Sequence, residues 1–285
     1  MNQATQPAAA AGTVKLGELT VNRMGFGAMR VTTAGRGIWG PPRDPAAAKK
    51  LLHRALELEI NFFDTADSYG PEVSEAFIAV MLHPYPKGLV IGTKGGLVRP
   101  SQRHWDPNGR PDHLRRAVDG SLKRLKLERI DLYQLHAPDP NVPFAESVGT
   151  LAEAQRAGKI RHLGLSNVSV TQLNEARRIA PIVSVQNEYN LANRESEDVL
   201  KACEKLGIAF IPWYPLGDGA ALKLRKVKLA AKEFGATRAQ VALAWLLAHS
   251  PVMLPIPGTS SIAHLEENTE AAALKLGAED IAALS

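Results

Sequence analysis

The feature of this sequence that most constrains its fold is a regular alternation of short apolar runs with longer segments of helical spacing. Eight runs suit buried strands, at 24–29, 60–64, 89–93, 130–135, 162–165, 183–185, 209–211 and 252–256. Segments with the helical period separate them, at 46–58, 72–81, 112–125, 144–157, 170–179, 195–206, 238–248 and 262–274. This alternation within 285 residues predicts the α/β class and a single (β/α)8 TIM barrel. An open doubly wound sheet is the alternative.

The domain organisation follows from the absence of any linker or shift in composition. We expect one barrel over 13–285, preceded by a flexible tail over 1–12 that is rich in Ala, Gln, Thr and Pro. Residues 17–22 indicate a turn or hairpin leading into the first barrel strand, and a loop with Gly and Pro covers 32–43.

Composition limits the classes of partner. The chain has neither a secretory signal nor an apolar run long enough to cross a membrane, and Cys203 is its single cysteine, so we expect a cytoplasmic protein. The net charge of +5 is typical either of a mildly basic surface or of a protein that attracts a phosphate-bearing ligand. No basic block with interleaved aromatics indicates nucleic-acid binding. Without a long exposed apolar stripe, we expect a monomer.

Most of the predicted strands end in a distinctive polar or aromatic residue. These residues are Asp64, Lys94, His136, Asn167, Gln186 and Trp213. The carboxyl ends of parallel strands meet at one rim of a barrel, where barrel enzymes carry out their chemistry. We therefore expect these side chains to form an active site.

The residue types at this rim indicate carbonyl reduction. Tyr69 follows Asp64 by five residues, and a neighbouring Lys94 ammonium would lower the high pKa of its hydroxyl. Asp64 could hold Lys94 in place, His136 could hydrogen-bond the substrate oxygen, and Tyr69 could then act as a general acid. Taken alone, Asp64 could instead cap a helix and Tyr69 could be a half-buried ring. These side chains supply no hydride, so a cofactor is implied. No Cys/His cluster offers a zinc site.

Seven segments of the chain carry a resemblance to a known family. They are FDTADSYG at 63–70, GTKG at 92–95, LKRL at 122–125, IDLYQLH at 130–136, GLSN at 164–167, QNEY at 186–189 and IPGTS at 256–260. With these segments the chain resembles the aldo-keto reductases over nearly its whole length. The resemblance implies a (β/α)8 barrel and hydride transfer from NADPH to an aldehyde or ketone. It places the catalytic tetrad at Asp64, Tyr69, Lys94 and His136, with Tyr69 as the proton donor.

The resemblance also implies a set of cofactor contacts. Ser166, Asn167 and Gln186 would hold the nicotinamide carboxamide, and Trp213 would stack on the ring. The full set adds Asp64, Gly27, Ala28, Met29, Tyr214, Pro215, Leu216, Gly217, Ile256, Pro257, Gly258, Thr259, Ser260, His264, Glu267 and Asn268.

Two departures from better-known members concern cofactor and substrate. The chain lacks the Lys and Arg that bind the 2′-phosphate of NADPH in the mammalian branch, and His264 stands where that Arg would be. Thr259, Ser260 and His264 could still bind the phosphate, so NADPH is favoured over NADH. The long C-terminal loop of steroid-type members is missing, which implies an open pocket walled by Trp39, Tyr69, Trp105, His136, Trp213 and Tyr214.

The short bacterial branch that the chain resembles includes pyridoxal reductases, so an aromatic aldehyde such as pyridoxal is the expected substrate. Some relatives serve as redox-sensing subunits, so an NADPH-binding sensor with little turnover is the alternative. A non-catalytic barrel is a third hypothesis.

Overall fold

The computed structural model describes residues 8–32 and 38–285, and a parallel sheet of seven strands organises it. Eleven strands occur in the described residues, and four of them form two separate antiparallel pairs. In chain order the strands are β1 (Thr13–Leu16), β2 (Leu19–Asn22), β3 (Phe26–Gly27), β4 (Phe62–Asp64), β5 (Val90–Gly95), β6 (Leu97–Val98), β7 (Asp106–Pro107), β8 (Ile130–Leu135), β9 (Ile160–Ser166), β10 (Ile182–Gln186) and β11 (Ala209–Phe210). The antiparallel pairs are β1 with β2 and β6 with β7. The sheet order is β11-β10-β9-β8-β5-β4-β3, and every neighbouring pair is parallel. The predicted α/β class is therefore confirmed.

The segment 252–256 closes the sheet into a barrel. Its Leu254 N–H donates to the carbonyl oxygen of Phe210 at 2.8 Å, on β11. On the other side, the Gly25 N–H donates to the carbonyl oxygen of Pro255 at 2.9 Å, next to β3. Pro255 has no N–H to donate, so this segment, the eighth predicted strand, makes fewer hydrogen bonds to its neighbours. The predicted (β/α)8 TIM barrel is confirmed, and the open doubly wound sheet is not adopted.

Ten α-helices surround the barrel in the described residues. They are α1 (Pro45–Glu57), α2 (Val73–Leu82), α3 (Pro111–Leu125), α4 (Phe144–Arg156), α5 (Val170–Arg177), α6 (Glu197–Leu206), α7 (Arg225–Glu233), α8 (Arg238–His249), α9 (Ile262–Glu270) and α10 (Ala278–Leu284). Local signals set several starts: Asp44 accepts from the Ala47 N–H at 2.9 Å, and Thr237 caps α8 in a capping box. The sequence predicted eight of these helices and missed α7 and α10.

The barrel interior is apolar towards the lower end, where the strands begin. Polar groups gather at the upper rim, where the strands end. Phe62, Val90 and Leu132 are buried inside the barrel together with Leu16 and Val21 of the β1–β2 hairpin. The hairpin predicted at 17–22 is thus confirmed, and it plugs the end of the barrel where the strands begin. A second apolar layer packs the helices against the outside of the strands.

The start of the chain differs in part from the predicted flexible tail. Ala8–Ala11 form a short 3-10 helix, in which Ala8 is fully buried and donates its N–H to the carbonyl oxygen of Leu58 at 2.7 Å. Residues 1–7 lie outside the described part of the chain, as do residues 33–37 of the predicted loop. Among the described residues, no helix is long and apolar enough to cross a membrane.

Candidate active site

A buried lysine lies at the centre of the upper rim. Lys94, near the end of β5, is 0% exposed, and its Nζ atom donates to Asp64 Oδ2 at 2.7 Å. The same ammonium donates to the carbonyl oxygen of Thr65 at 2.8 Å and to the hydroxyl of Tyr69 at 3.2 Å. An ammonium has three hydrogens to donate, so these partners satisfy it fully. The loop after β4 therefore brings Tyr69 against Lys94, as the sequence predicted.

The ion pair keeps this lysine charged. Burial alone would lower the pKa of Lys94, but the Asp64 carboxylate and the Tyr69 hydroxyl outweigh burial, so the pKa is raised. The pKa of Tyr69 is also raised above its usual 10.0, because burial of the phenol outweighs the Lys94 ammonium. The sequence predicted a lowered pKa for Tyr69. Lys94 acts in that direction, but the buried setting of the ring reverses the net shift.

His136 completes the group as a neutral imidazole. It directly follows β8, and its ring centroid lies 5.9 Å from that of Tyr69 in an edge-on arrangement. Burial, with a smaller effect of the Lys94 charge, holds the pKa of His136 well below 6.5. Its Nδ1 atom is 3.3 Å from Ser68 Oγ. A proton donated by Ser68 to Nδ1 leaves the imidazole hydrogen on Nε2, where it can be donated to a ligand.

Amide side chains surround the ion pair on the β8–β10 side of the rim. Asp64 Oδ1 accepts from Gln186 Nε2 at 2.8 Å and from Gln134 Nε2 at 3.3 Å. Asn167, with a left-handed φ of 59°, donates from Nδ2 to the carbonyl oxygen of His136 at 3.0 Å. Its Oδ1 atom accepts from Trp213 Nε1 at 3.0 Å. The carboxylate and the indole are therefore both held by residues at the ends of strands.

A cavity of about 350 Å³ opens from this polar group across the rim. The predicted site residues that line it are Gly27, Met29, Asp64, Tyr69, Trp105, His136, Ser166, Asn167, Gln186, Trp213, Tyr214, Pro215, Leu216, Ile256, Pro257 and Gly258. The predicted residues that do not line it are Ala28, Trp39, Lys94, Gly217, Thr259, Ser260, His264, Glu267 and Asn268. Most of the predicted residues are therefore brought together at one cavity.

At one end of the cavity, two glycines let the backbone of β3 pack closely against the backbone of residues 256–258. A Cβ atom at Gly27 would lie 2.6 Å from the carbonyl oxygen of Ile256, and one at Gly258 would lie 2.7 Å from the carbonyl oxygen of Gly27. Both positions therefore require glycine. The absence of Cβ atoms at this glycine cradle, Gly27 and Gly258, lets a ligand approach the backbone closely at this end of the cavity.

Comparison with known proteins identifies the family. Residues 23–285 match the model of the Aldo/keto reductase family. The chain belongs to the aldo/keto reductase family. It is an oxidoreductase with the barrel architecture of that family.

Three relatives of this aldo/keto reductase illustrate the range of similarity. An uncharacterised oxidoreductase of Schizosaccharomyces pombe is 53% identical, over 97% of this chain and 90% of its own length. Pyridoxine 4-dehydrogenase of Escherichia coli is 44% identical, over 95% of this chain and 96% of its own. A solved structure of an aldo/keto reductase from Klebsiella pneumoniae, in complex with NADP and acetate, is 25% identical. It superposes with a TM-score of 0.78 and covers 95% of this chain and 93% of that one.

Sequence reasoning missed several residues around the cavity of this reductase. Arg30, Asp218, Gly219 and Leu222 line the cavity as well, and Arg30 and Asp218 form an ion pair beside it. Gln134 reaches Asp64 from β8, and its place two residues before His136 in a strand was the available signal. In the described residues, no group of three or more His, Cys, Asp or Glu is arranged to hold a metal ion.

The predicted residues outside the cavity have other contacts. Thr259 is buried, and its Oγ1 atom accepts from the Ser261 N–H at 3.0 Å, in the turn that leads into α9. Ser261 caps α9 and accepts from the His264 N–H. Trp39 pairs through its backbone with Gly70, and its ring lies near the guanidinium of Arg99. The turn at 259–261 and the N-terminus of α9 therefore directly follow the glycine cradle in the chain.

Proposed function

We propose that this aldo/keto reductase reduces aldehydes and ketones to alcohols with NADPH, and that Tyr69 is the general acid. The observation that carries the proposal is the contact of the Lys94 ammonium, itself paired with Asp64 at 2.7 Å, with the Tyr69 hydroxyl at 3.2 Å. A phenol at the wall of a cavity, with a charged donor beside it, is suited to protonating an oxygen on which charge develops.

The roles of the four residues follow from their contacts. NADPH would supply the hydride. Tyr69 donates its proton to the carbonyl oxygen, and the Lys94 ammonium stabilises the tyrosinate that remains. His136 is neutral because of its burial, so its Nε2 hydrogen can donate to the same oxygen without adding a positive charge. Asp64 acts as a positioning residue that holds Lys94 in place, and the catalytic residues are Tyr69, His136 and Lys94.

The residues proposed to hold NADPH lie along the cavity and, beyond it, in the turn and helix that follow Gly258. Ser166, Asn167 and Gln186 would bind the carboxamide, and Trp213, held by Asn167 at 3.0 Å, would stack on the ring. The glycine cradle, Ala28 and Met29 would accommodate the pyrophosphate. The 2′-phosphate would meet the N-terminus of α9, near Thr259, Ser260 and His264, with Glu267 and Asn268 facing the adenosine. The NADP bound to the Klebsiella pneumoniae relative supports a dinucleotide in this cavity.

We propose an aromatic aldehyde, with pyridoxal as the leading candidate, as the substrate. The ring centroids of Tyr69 and His136 lie 6.3 and 6.5 Å from that of Trp105, so two further rings flank the proton donor Tyr69. Aromatic rings pack favourably edge-to-face against such walls. The Escherichia coli relative, named for the dehydrogenation of pyridoxine, supports the same choice. Pyridoxal and pyridoxine differ by the reduction of one aldehyde to an alcohol.

We propose a cytoplasmic monomer with one barrel over 13–285. The large apolar side chains that are exposed, Val80, Leu229 and Ile262 among them, lie on separate helices. Scattered exposed side chains of this kind do not form an interface.

The deciding experiment follows the absorbance of NADPH with pyridoxal, 4-nitrobenzaldehyde and a short aliphatic aldehyde. We expect turnover by the wild type, a rate reduced by about two to four orders of magnitude in Tyr69→Phe, and weaker activity with NADH. Unchanged turnover in Tyr69→Phe would contradict the mechanism. NADPH binding without turnover of any carbonyl would favour the redox sensor instead.

A further inference from the structure

Arg99 is a buried charged residue to which the proposed chemistry assigns no role. It lies in the connection between β6 and β7 and is only 8% exposed. Its guanidinium donates to the carbonyl oxygens of Gln102 at 2.8 Å and His104 at 3.0 Å, within the same connection. It also donates to those of Ile38 at 3.3 Å and Ser68 at 3.4 Å, in two other loops. One side chain therefore joins three loops at the substrate end of the cavity.

The same guanidinium lies against the face of a ring that lines the cavity. The Cζ atom of Arg99 is 3.6 Å from the ring centroid of Trp105 and 5.5 Å from that of Trp39. A planar guanidinium at this distance stacks on an indole and contributes a cation–π attraction. Trp105 is therefore held on one side by Arg99, and its ring meets Tyr69 and His136 in edge-on contacts.

We propose that Arg99 is a positioning residue that fixes Trp105 as the aromatic wall of the substrate site and thereby favours aromatic over short aliphatic aldehydes. This inference rests on the proposed reductase function. Trp105 approaches the proton donor from the side of the 97–107 connection, so its orientation decides whether a flat ring fits beside Tyr69. A short aliphatic aldehyde needs the proton donor but has no ring to pack against this wall. The link to the carbonyl of Ser68 fixes the connection relative to the loop that carries Tyr69.

The test compares selectivity in Arg99→Met and Arg99→Lys. Arg99→Lys keeps the positive charge but loses the planar, forked donor. It therefore separates the contribution of the charge from that of the planar guanidinium. We expect the ratio of kcat/KM for 4-nitrobenzaldehyde to kcat/KM for propionaldehyde to fall about tenfold in both variants, equivalent to roughly 1.4 kcal/mol. The matched control is Arg103→Gln, an exposed arginine of the same connection, for which we expect no change in the ratio.

A double-mutant cycle with Trp105→Leu separates positioning from a general loss of structure. If Arg99 acts through Trp105, Arg99→Met should change the selectivity ratio little in a chain that already carries Trp105→Leu. An equal, additive effect in both backgrounds would overturn the proposal. An equal fall in kcat/KM for both aldehydes in Arg99→Met would overturn it too, because that is the signature of a loop that has merely lost order.

Two further measurements keep the inference independent of turnover. Hydrogen exchange of the 97–107 segment should be faster in Arg99→Met than in the wild type, and equal exchange would overturn the positioning role. If the wild type reduces no carbonyl, the proposed function has failed. The quenching of tryptophan fluorescence by 4-nitrobenzaldehyde then decides the inference, because weaker binding to Arg99→Met supports it and equal binding overturns it.

Discussion

The Nε2 atom of Gln186 lies 2.8 Å from Oδ1 of Asp64, the carboxylate whose other oxygen accepts from Lys94. A residue proposed to contact the cofactor thus shares a hydrogen-bond acceptor with the ion pair that faces Tyr69. With Gln134 at 3.3 Å, three side chains donate to this carboxylate, which is 1% exposed. These donors replace the water that a buried carboxylate loses.

The first prediction concerns this buried ion pair. Lys94→Met or Asp64→Asn leaves one partner buried without its counter-charge, so we expect each to lower the free energy of unfolding by about 3–5 kcal/mol. Each should also lower turnover by orders of magnitude. The double variant removes both charges and should recover most of the stability without recovering turnover. Urea denaturation and single-turnover rates measure the two effects. A double variant as unstable as the worse single one would contradict this account.

The second prediction concerns the glycine cradle. In Gly258→Ala, the new Cβ atom would lie 2.7 Å from the carbonyl oxygen of Gly27, so the backbone must shift where NADPH is proposed to lie. We expect weaker NADPH binding in a fluorescence titration, with a cost on the order of 1–3 kcal/mol in stability. Gly149→Ala, in α4 with open space around it, is the control and should bind NADPH normally. Equal affinities in the two variants would show that the cradle is not used.

The residues of the rim could be predicted because the hydrophobic period and the order of strands and helices can both be read directly along the chain. Once the strand ending at Asp64 and the strand carrying Lys94 are recognised, a parallel barrel brings their ends together without any knowledge of packing. The same logic located His136 and Gln186. It also predicted the direction in which Lys94 acts on the pKa of Tyr69, but the net shift depends on burial, which the sequence does not display.

Contacts between loops could not be predicted in this way. The ion pair of Arg30 with Asp218 joins residues 188 positions apart, and neither residue belongs to a recognisable motif. No sequence pattern indicated a role for Arg99, although its guanidinium donates to backbone carbonyl oxygens in three loops. Such contacts depend on how irregular segments fold back over the rim, and hydrophobic periodicity carries no information about that.

The third prediction concerns a buried acid in the loop that carries Tyr69. Asp67 is 9% exposed, and its Oδ1 atom has no hydrogen-bond partner among the described residues. Burial, with a further contribution from Glu75, raises the pKa of Asp67 well above 3.8, although Arg124 opposes this. The folded protein therefore holds this proton more tightly than the unfolded chain does. Stability should fall as the pH rises from about 4 through the folded pKa, by about 1.4 kcal/mol per pH unit in that window.

Asp67→Asn removes this titration while keeping a neutral side chain of the same size. We expect the variant to be more stable than the wild type near pH 8 and similar to it near pH 4, in urea denaturation at each pH. Asp106→Asn, an exposed aspartate of β7, serves as the control and should leave the dependence on pH unchanged. A gain in stability that is the same at both pH values would contradict the titration of Asp67.

The fourth prediction concerns the pH dependence of reduction. Burial and the Lys94 charge hold the pKa of His136 well below 6.5, so the imidazole stays neutral as the pH falls from about 8 to about 6. The raised pKa of Tyr69 keeps the phenol protonated up to pH values above 10.0. We therefore expect a flat profile of kcat/KM for carbonyl reduction over this range, with a decline only in strong base. The control is His136→Gln, a variant that keeps an N–H donor. If kcat/KM of the wild type declined near pH 6.5 and this decline disappeared in the variant, His136 would be charged in the neutral range. Its burial would then not control its protonation.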